Sequence, residues 1–285
     1  MRKLKIPLED VSVKEIFLDC IQNLDDKYAL EKCADLIELD SDMYRQQAPL
    51  QLTGFHYQKE FPDGVTGERL KNVYSNTFVS RKKFYNKILF PKDLTECPIC
   101  DTGELSTLDH YLPKSVVPTL AVTPCNLVPM CDKCNRIKLD RMETEPGRMP
   151  FHMYFDDFSQ EPWLAVRLVP GEELAAVYEV QYAGDDPIRE ERMQRHLELY
   201  KLRERFRDKA SGEMARNRRN WCRKLTRSGE DGLRMDIEDK RISEEEMDMN
   251  SWRSALYRAL EAHVDVLIQW LTAEEPVNTA PVEAG

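Results

Sequence analysis

Four cysteines, arranged as two CxxC pairs, are the residues whose type and spacing most directly suggest chemistry. Cys97 pairs with Cys100 and Cys131 pairs with Cys134, with 30 residues between the two pairs. This spacing can supply a complete tetrahedral set of thiolates to zinc, which leaves no coordination position open for a substrate or a water molecule. The sequence therefore predicts a structural zinc site that orders the surrounding fold, and other residues nearby are expected to carry the chemistry.

Three polar residues accompany the cysteines. Asp109 and His110 are adjacent and lie between the pairs, and Asn135 directly follows the last cysteine. A divalent cation and one imidazole can together activate water and stabilise the charges of phosphodiester hydrolysis. Carboxylate and amide oxygens suit magnesium or manganese rather than zinc, so a second and different metal is predicted beside His110.

The local pattern indicates how these residues are carried. A short extended segment is predicted before Cys131, followed by a helix that begins near Asp132. In that helix Asn135 and Lys138 are three residues apart and share a face, which would place an oxygen ligand beside a phosphate-pairing ammonium. Consecutive strand residues point to opposite faces, so Asp109 and His110 are expected at a bent or twisted strand end.

The order of Asp109 and His110, then Asn126, then Asn135 resembles the HNH nuclease superfamily in its ββα-metal form with a four-cysteine zinc site. The resemblance covers Cys97 to Lys138. It implies that His110 is the general base, that Asp109 and Asn135 hold catalytic Mg²⁺ or Mn²⁺, and that Asn126 orients the loop or the base. Asn135 stands where the motif's name has a histidine, as in the HNN variant of the RNA-guided CRISPR nucleases.

The sequence around this core is similar to bacterial defence-island HNH proteins. The segments that carry this wider resemblance are TLDHYLPKS at 107–115, CNLVP at 125–129, RHLELY at 195–200 and NSWRSALY at 250–257. The family is the HNH subunit of Septu anti-phage systems, which also occurs with some retrons. The resemblance implies a DNA substrate and an ABC/SMC-like ATPase partner, which would account for a nuclease subunit with an acidic net charge.

Charge is segregated in the C-terminal third. The chain has a net charge of −10, but residues 201–228 hold 11 Lys and Arg against 3 Asp and Glu, whereas residues 229–248 hold 9 acids against 3 bases. Two solvated helix faces would explain these runs as well as a DNA-binding surface would. Beside a nuclease core the basic run is expected to face phosphate, and the predicted contacts are Lys114, Lys138, Arg216, Arg218 and Arg219.

Periodicity predicts an α+β fold: a ββα-metal core with zinc knuckles, flanked by N-terminal and C-terminal helical regions and a small β-hairpin. Helices are predicted at 12–24 and 26–47, from Pro187 with Gly212 as a weak point, and from Ser251. The predicted segments are an N-terminal helical region 1–80, the core 81–148, a hairpin segment 149–186, a C-terminal helical region 187–275 and a disordered tail 276–285.

The 285 residues contain no stretch as apolar as a membrane span and no signal peptide, so a cytoplasmic protein without membrane contact is expected. Two other functions stay open beside the endonuclease. One is a zinc-dependent adaptor that binds nucleic acid or a partner without cutting it. The other is a toxin that cleaves RNA, since this hydrolysis does not need a 2′-hydroxyl.

Overall fold

The computed structural model describes residues 3–48, 52–143 and 145–273, and it has an α+β fold. The chain forms two compact units. Unit 1 comprises residues 1–163 and 182–202, and unit 2 comprises residues 164–181 and 203–285. The predicted hairpin segment 149–186 contributes residues to both units. The predicted tail 276–285 lies outside the described residues.

Short helices form the N-terminal part of unit 1. Ser12 caps the first of them, with its side chain accepting a hydrogen bond from the amide of Glu15. The expected helix at 26–47 is in fact two helices that are separated at Lys32 and Cys33. The helices are α1 (Val13–Ile21), α2 (Lys27–Glu31), α3 (Ala34–Gln47), α4 (Gly67–Val73), α5 (Val79–Arg81) and α6 (Tyr85–Leu89), with a π-helical turn at Tyr74–Phe78.

Against these helices lies a small antiparallel sheet that carries the candidate site. Strand β1 (Thr107–His110) pairs with β2 (Leu127–Met130), with Asp109 opposite Val128 and His110 opposite Leu127. Helix α7 (Asp132–Lys138) follows β2, as predicted. Leu108 and Leu127 belong to the same apolar core as the side chains of α1, α3 and α4, so burial of that core fixes the sheet against the helices.

The connection between β1 and β2 contains two short 3₁₀ turns, Pro118–Leu120 and Pro124–Asn126. Unit 1 is completed by α8 (Pro187–Leu199), whose cap is Asp186 and whose first residue is proline. The helix ends at Tyr200, and Lys201 adopts a positive φ of 51°. The helical pattern that begins at Pro187 is therefore interrupted there rather than at Gly212.

In its described residues, unit 2 contains the predicted hairpin and three helices. Strands β3 (Leu164–Val169) and β4 (Ala175–Val180) are antiparallel, and Tyr178 of β4 donates a hydrogen bond to the carbonyl of Trp252. The helices are α9 (Leu202–Met247), α10 (Trp252–Ala262) and α11 (Val264–Thr272). The predicted single helix from Ser251 is thus divided at His263. No helix within the described ranges combines the length and apolar character that crossing a membrane requires.

Helix α9 is bent back on itself at Gly229. This residue has φ 68° and ψ −169°, a conformation that favours glycine. Lys224 and Asp236, twelve residues apart, approach to 3.3 Å across the bend, whereas a straight helix would separate their backbones by about 18 Å. The basic and acidic runs predicted from sequence therefore lie on the two halves of a helical hairpin.

Candidate metal centre and the residues beside it

The four cysteines of the CxxC pairs converge in unit 1. Their ligand atoms all lie within 4.8 Å of one another and all four side chains are buried. The Sγ atoms of Cys100 and Cys131 are 3.8 Å apart, and four sulfurs placed about 2.3 Å from a tetrahedral zinc would be separated by about 3.8 Å. The cluster could therefore hold a metal such as zinc, and its dimensions fit that ion.

Two local structures bring the cysteines together. In the first knuckle the amide of Cys97 donates to the carbonyl of Gly103, and the amide of Asp101 donates to the carbonyl of Cys97, which closes a tight turn. In the second, Cys131 is the N-cap of α7 and its Sγ accepts from the amide of Cys134. The CxxC spacing thus serves a turn in one case and a helix start in the other.

Thiols at this distance perturb one another. Hydrogen bonding to its neighbours, first Cys131, lowers the pKa of Cys100, while hydrogen bonding to Cys100 raises the pKa of both Cys97 and Cys134. Four buried thiolates without a cation would repel one another. A bound Zn²⁺ would remove that conflict, because it takes the place of the thiol protons.

Asp109 and His110 use the alternation of strand β1 to contact different elements. The Asp109 carboxylate pairs with Lys138 of α7, with 2.7 Å between Oδ2 and Nζ. The His110 ring packs edge-on against Tyr74, with ring centroids 4.5 Å apart, on the side of the N-terminal helices. The two side chains are adjacent in sequence but are held by partners on opposite faces of the strand.

The His110 ring is fixed by a backbone carbonyl. Its Nε2 lies 2.8 Å from the carbonyl oxygen of Ala121, and a carbonyl can only accept, so Nε2 must carry the proton. Burial lowers the pKa of His110 to about 3, with smaller contributions from Lys114 and Lys138. The ring is therefore neutral at physiological pH and its Nδ1 holds a lone pair.

The position of Lys138 does not fit its predicted role as a phosphate contact. It is 2% exposed, and besides pairing with Asp109 it donates to the carbonyl of His110 at 2.7 Å. Burial raises the pKa of Asp109, and Lys138 opposes that shift. The ammonium therefore neutralises a buried carboxylate and ties α7 to the end of β1. It does not face solvent, where a phosphate would meet it.

Asn126 organises the loop that follows His110. It is fully buried, and its Oδ1 accepts from the amide of Leu112 at 2.8 Å. Its Nδ2 donates to the carbonyls of Leu112, at 3.1 Å, and Leu120, at 3.3 Å. Both polar atoms of this amide are thus used to close the chain around the end of β1.

Lys114 and Asn135 are the other predicted site residues of unit 1. Lys114 is half-buried, with Nζ 4.4 Å from the ring centroid of Tyr74, and desolvation lowers its pKa. Tyr74 therefore contacts both Lys114 and His110. Asn135 is half-buried in α7, between Cys134 and the helix end. Its amide oxygen and the carboxylate of Asp109 are hard donors of the kind Mg²⁺ prefers.

The remaining predicted nucleic-acid contacts lie in unit 2, on the basic half of α9. Arg216 is exposed and 3.2 Å from Glu213, Arg218 lies over the ring of Trp270 with 4.9 Å to its centroid, and Arg219 is exposed. Two of the three guanidinium groups thus already have protein neighbours.

Sequence reasoning missed two residues that support these centres. Tyr74 lies in the π-helical turn and contacts His110, and nothing in its sequence context marks it. His196 is fully buried in α8, where its ring stacks on Phe151 and its Nε2 lies 3.2 Å from the carbonyl of Ile99 in the first knuckle. Only a long-range contact reveals either role.

Comparison with known proteins places one relative beside this chain. Protein ea31 of Escherichia phage lambda is 29% identical over 146 residues, which cover 48% of this chain and 48% of that protein. The chain therefore spans about half the length of this curated relative. No family model matches the chain, and no solved structure matches it.

Proposed function

We propose that this protein is a metal-dependent endonuclease of the HNH type that hydrolyses phosphodiester bonds in DNA. The observation that carries the proposal is the state of His110. A backbone carbonyl fixes its Nε2–H, and its Nδ1 is left as a proton acceptor at the strand end that also holds the carboxylate of Asp109.

In the proposed reaction Nδ1 of His110 takes a proton from the attacking water. The ring's burial keeps it in the accepting form but weakens it as a base, and the negative charge of a bound phosphate would raise its pKa again. Asp109 and Asn135 would hold Mg²⁺ or Mn²⁺, which supplies charge stabilisation to the phosphoryl and departing oxygens. The products would be a 3′ hydroxyl and a 5′ phosphate.

Other residues of the site would position these groups. Asn126 holds the loop after His110, and Lys138 offsets part of the cost of burying the Asp109 carboxylate by pairing with it. Lys114, half-exposed over Tyr74, is a cation near His110 that a phosphate could reach. Zinc in the cysteine cluster would be structural, because four thiolates complete its coordination.

DNA delivery and the partner are part of the same proposal. Arg216, Arg218 and Arg219 would contact phosphate, and the acidic half of α9 would compete with DNA until an ABC/SMC-like ATPase of an anti-phage defence complex binds. The salt link between Lys224 and Asp236 supports this competition, since it joins the two halves of the hairpin directly. The protein would act in the cytoplasm.

The deciding experiment is nicking of supercoiled plasmid by the full chain with Mg²⁺ or Mn²⁺. His110→Ala should abolish nicking, with a loss of about 10²–10⁴ in rate, and should leave zinc content unchanged. His263→Ala is the matched control, because His263 is exposed and lies in unit 2. An active His110→Ala protein would refute the assignment.

The same assay separates the alternatives. An adaptor would bind plasmid without nicking it in any metal. An RNA-cleaving toxin would leave plasmid intact and cleave RNA, with the same dependence on His110.

A further inference from the structure

The orientation of His110 depends on the connection between β1 and β2. Two consecutive carbonyls of residues 120 and 121 serve the site: Leu120 accepts from Asn126 at 3.3 Å, and Ala121 accepts from Nε2 of His110 at 2.8 Å. A shift of this short segment would release the imidazole proton from its acceptor. What holds the segment therefore also holds the histidine.

A buried carboxylate from a distant helix holds this segment. The hydroxyl of Thr119 donates to Oδ2 of Asp40 at 2.6 Å, and both residues are 1% exposed. Asp40 belongs to α3 and is 79 positions away in sequence. The backbone amide of Gln58 donates to the same oxygen at 3.4 Å. Thr119 immediately precedes the two carbonyls that serve the site.

The segment is also packed from a second side. A Cβ added at Gly67, the first residue of α4, would lie 3.0 Å from the ring of Pro118. Helix α4 thus approaches the segment as closely as a glycine allows. Residues 118–121 are held between a hydrogen bond to α3 and a close contact with α4.

Burying Asp40 is costly. Desolvation raises the pKa of its carboxyl, and among the described residues what opposes this shift is the hydrogen bonding from Thr119 and from the amide of Gln58, with no contribution from a cation. Burying a carboxylate without a cation costs free energy, and hydrogen bonds to the carboxylate offset only part of that cost. An apolar residue would pack α3 at lower cost, so the structural role of Asp40 lies in its hydrogen bonds, of which the one from Thr119 is the shorter.

We infer that Asp40 is a positioning residue: through Thr119 it fixes the carbonyl of Ala121 and so holds His110 as its Nε2–H tautomer. The effect on tautomer follows from the hydrogen bonds alone. The effect on catalysis rests on the proposed function, because it requires His110 to act as a base through Nδ1.

The test is the ¹⁵N spectrum of the imidazoles in the full-length zinc-loaded chain, with the His110 signals assigned by difference from His110→Ala. The wild type should show the Nε2–H tautomer of His110. Thr119→Val removes the hydroxyl at nearly constant volume and should give a tautomer mixture. Thr119→Ser and Asp40→Asn keep a donor and an acceptor, so both should resemble the wild type.

Asp42→Ala is the matched control for Asp40→Leu, because Asp42 is an exposed carboxylate two residues along the same helix. Asp40→Leu should alter the His110 signals and Asp42→Ala should not. Zinc content and melting temperature report folding, and if Asp40→Leu fails to fold, the near-isosteric Thr119→Val decides. An unchanged Nε2–H tautomer in folded Thr119→Val would overturn the inference.

Plasmid nicking supplies the second measurement. Thr119→Val should lower kcat by about 10- to 100-fold, as expected for a misplaced catalytic group, with KM nearly unchanged. Asp40→Asn should restore most of kcat relative to Asp40→Leu. If the wild type does not cleave nucleic acid, the proposed function fails while the tautomer measurement still decides the role of Asp40.

Discussion

Gly103 allows the first knuckle to close over the cysteine cluster. A Cβ added there would lie 2.8 Å from Cβ of Cys131 and 2.9 Å from its Sγ. Ordinary contacts between such atoms are about 3.5–4.0 Å. Gly103→Ala therefore creates an overlap of roughly 0.7 Å or more against a residue of the cluster.

The overlap cannot be relieved without disturbing the cluster. Metal-ligand distances tolerate only about 0.2 Å, so Cys131 cannot retreat while it holds a metal. The Gly103 loop must move instead, although the amide of Cys97 donates to the Gly103 carbonyl at 2.8 Å. Inserting one methyl group into a tightly packed site typically costs about 1–3 kcal/mol, which corresponds to zinc affinity weaker by about 5- to 150-fold.

Competition with a chromophoric chelator measures the zinc affinity, and thermal melting gives an independent measure. For a unit of this size the melting temperature should fall by roughly 2–12 °C. Gly212→Ala is the matched control, because a Cβ there would meet nothing within 4 Å. In helix α9 that change should be neutral or stabilising by up to about 1 kcal/mol. Wild-type zinc affinity in Gly103→Ala would refute this account of the site.

The ion pair, the buried histidine and the basic half of α9 each support a further prediction. Lys138→Met should destabilise the protein by about 3–5 kcal/mol in urea unfolding, because it leaves Asp109 buried without its cation. The control is Lys133→Met, at an exposed position, which should change stability by under about 0.5 kcal/mol. Equal effects of the two substitutions would contradict the role of the ion pair. Burial lowers the pKa of His152 from 6.5 to about 3, so the unfolded chain binds a proton there that the folded chain refuses, and stability should fall as pH drops from 6.5 towards 3 by about 1.4 kcal/mol per pH unit. Urea titrations at about pH 7 and about pH 5.5 should show a shallower loss in His152→Gln than in the exposed His56→Gln, and identical slopes would remove the prediction. On the basic half of α9, the charges of Arg216, Arg218 and Arg219 can be reversed. This should weaken DNA binding and flatten its salt dependence by up to about 0.9 log units for each phosphate that the protein no longer neutralises. Fluorescence anisotropy without divalent metal measures the binding, and unchanged binding would exclude this surface.

The sequence alone located the residues that converge. The CxxC spacing predicted the four-cysteine cluster, and the pattern from 126 to 138 predicted an extended segment followed by a helix from Asp132. These features are local, because turn closure and helix periodicity depend on residues a few positions apart. The hairpin at β3 and β4 was predicted for the same reason, from two runs rich in β-forming residues that Pro170 and Gly171 separate.

The positions at which helices break were harder to predict from the sequence. Residues 26–47 carry one helical pattern but form two helices, and the helix from Ser251 is divided at His263. The chain bends at Gly229, where φ is positive, and continues as helix through Gly212. Glycine permits both conformations, so packing between the two halves of α9, and not residue type, decides which glycine is the bend.

Tertiary structure alone decided the state of the candidate site. Lys138 was expected to face phosphate but is buried against Asp109, and the proton on His110 is fixed by the carbonyl of Ala121. Nothing in the sequence of its own helix predicted the hydrogen bond of Asp40 to Thr119, which lies 79 positions away. Spacing and periodicity report which residues share a turn or a face. The hydrogen-bond partner of a buried polar group depends on which distant segments the apolar core brings together. Once it is removed from water, such a group is generally hydrogen-bonded to the polar atoms that lie beside it.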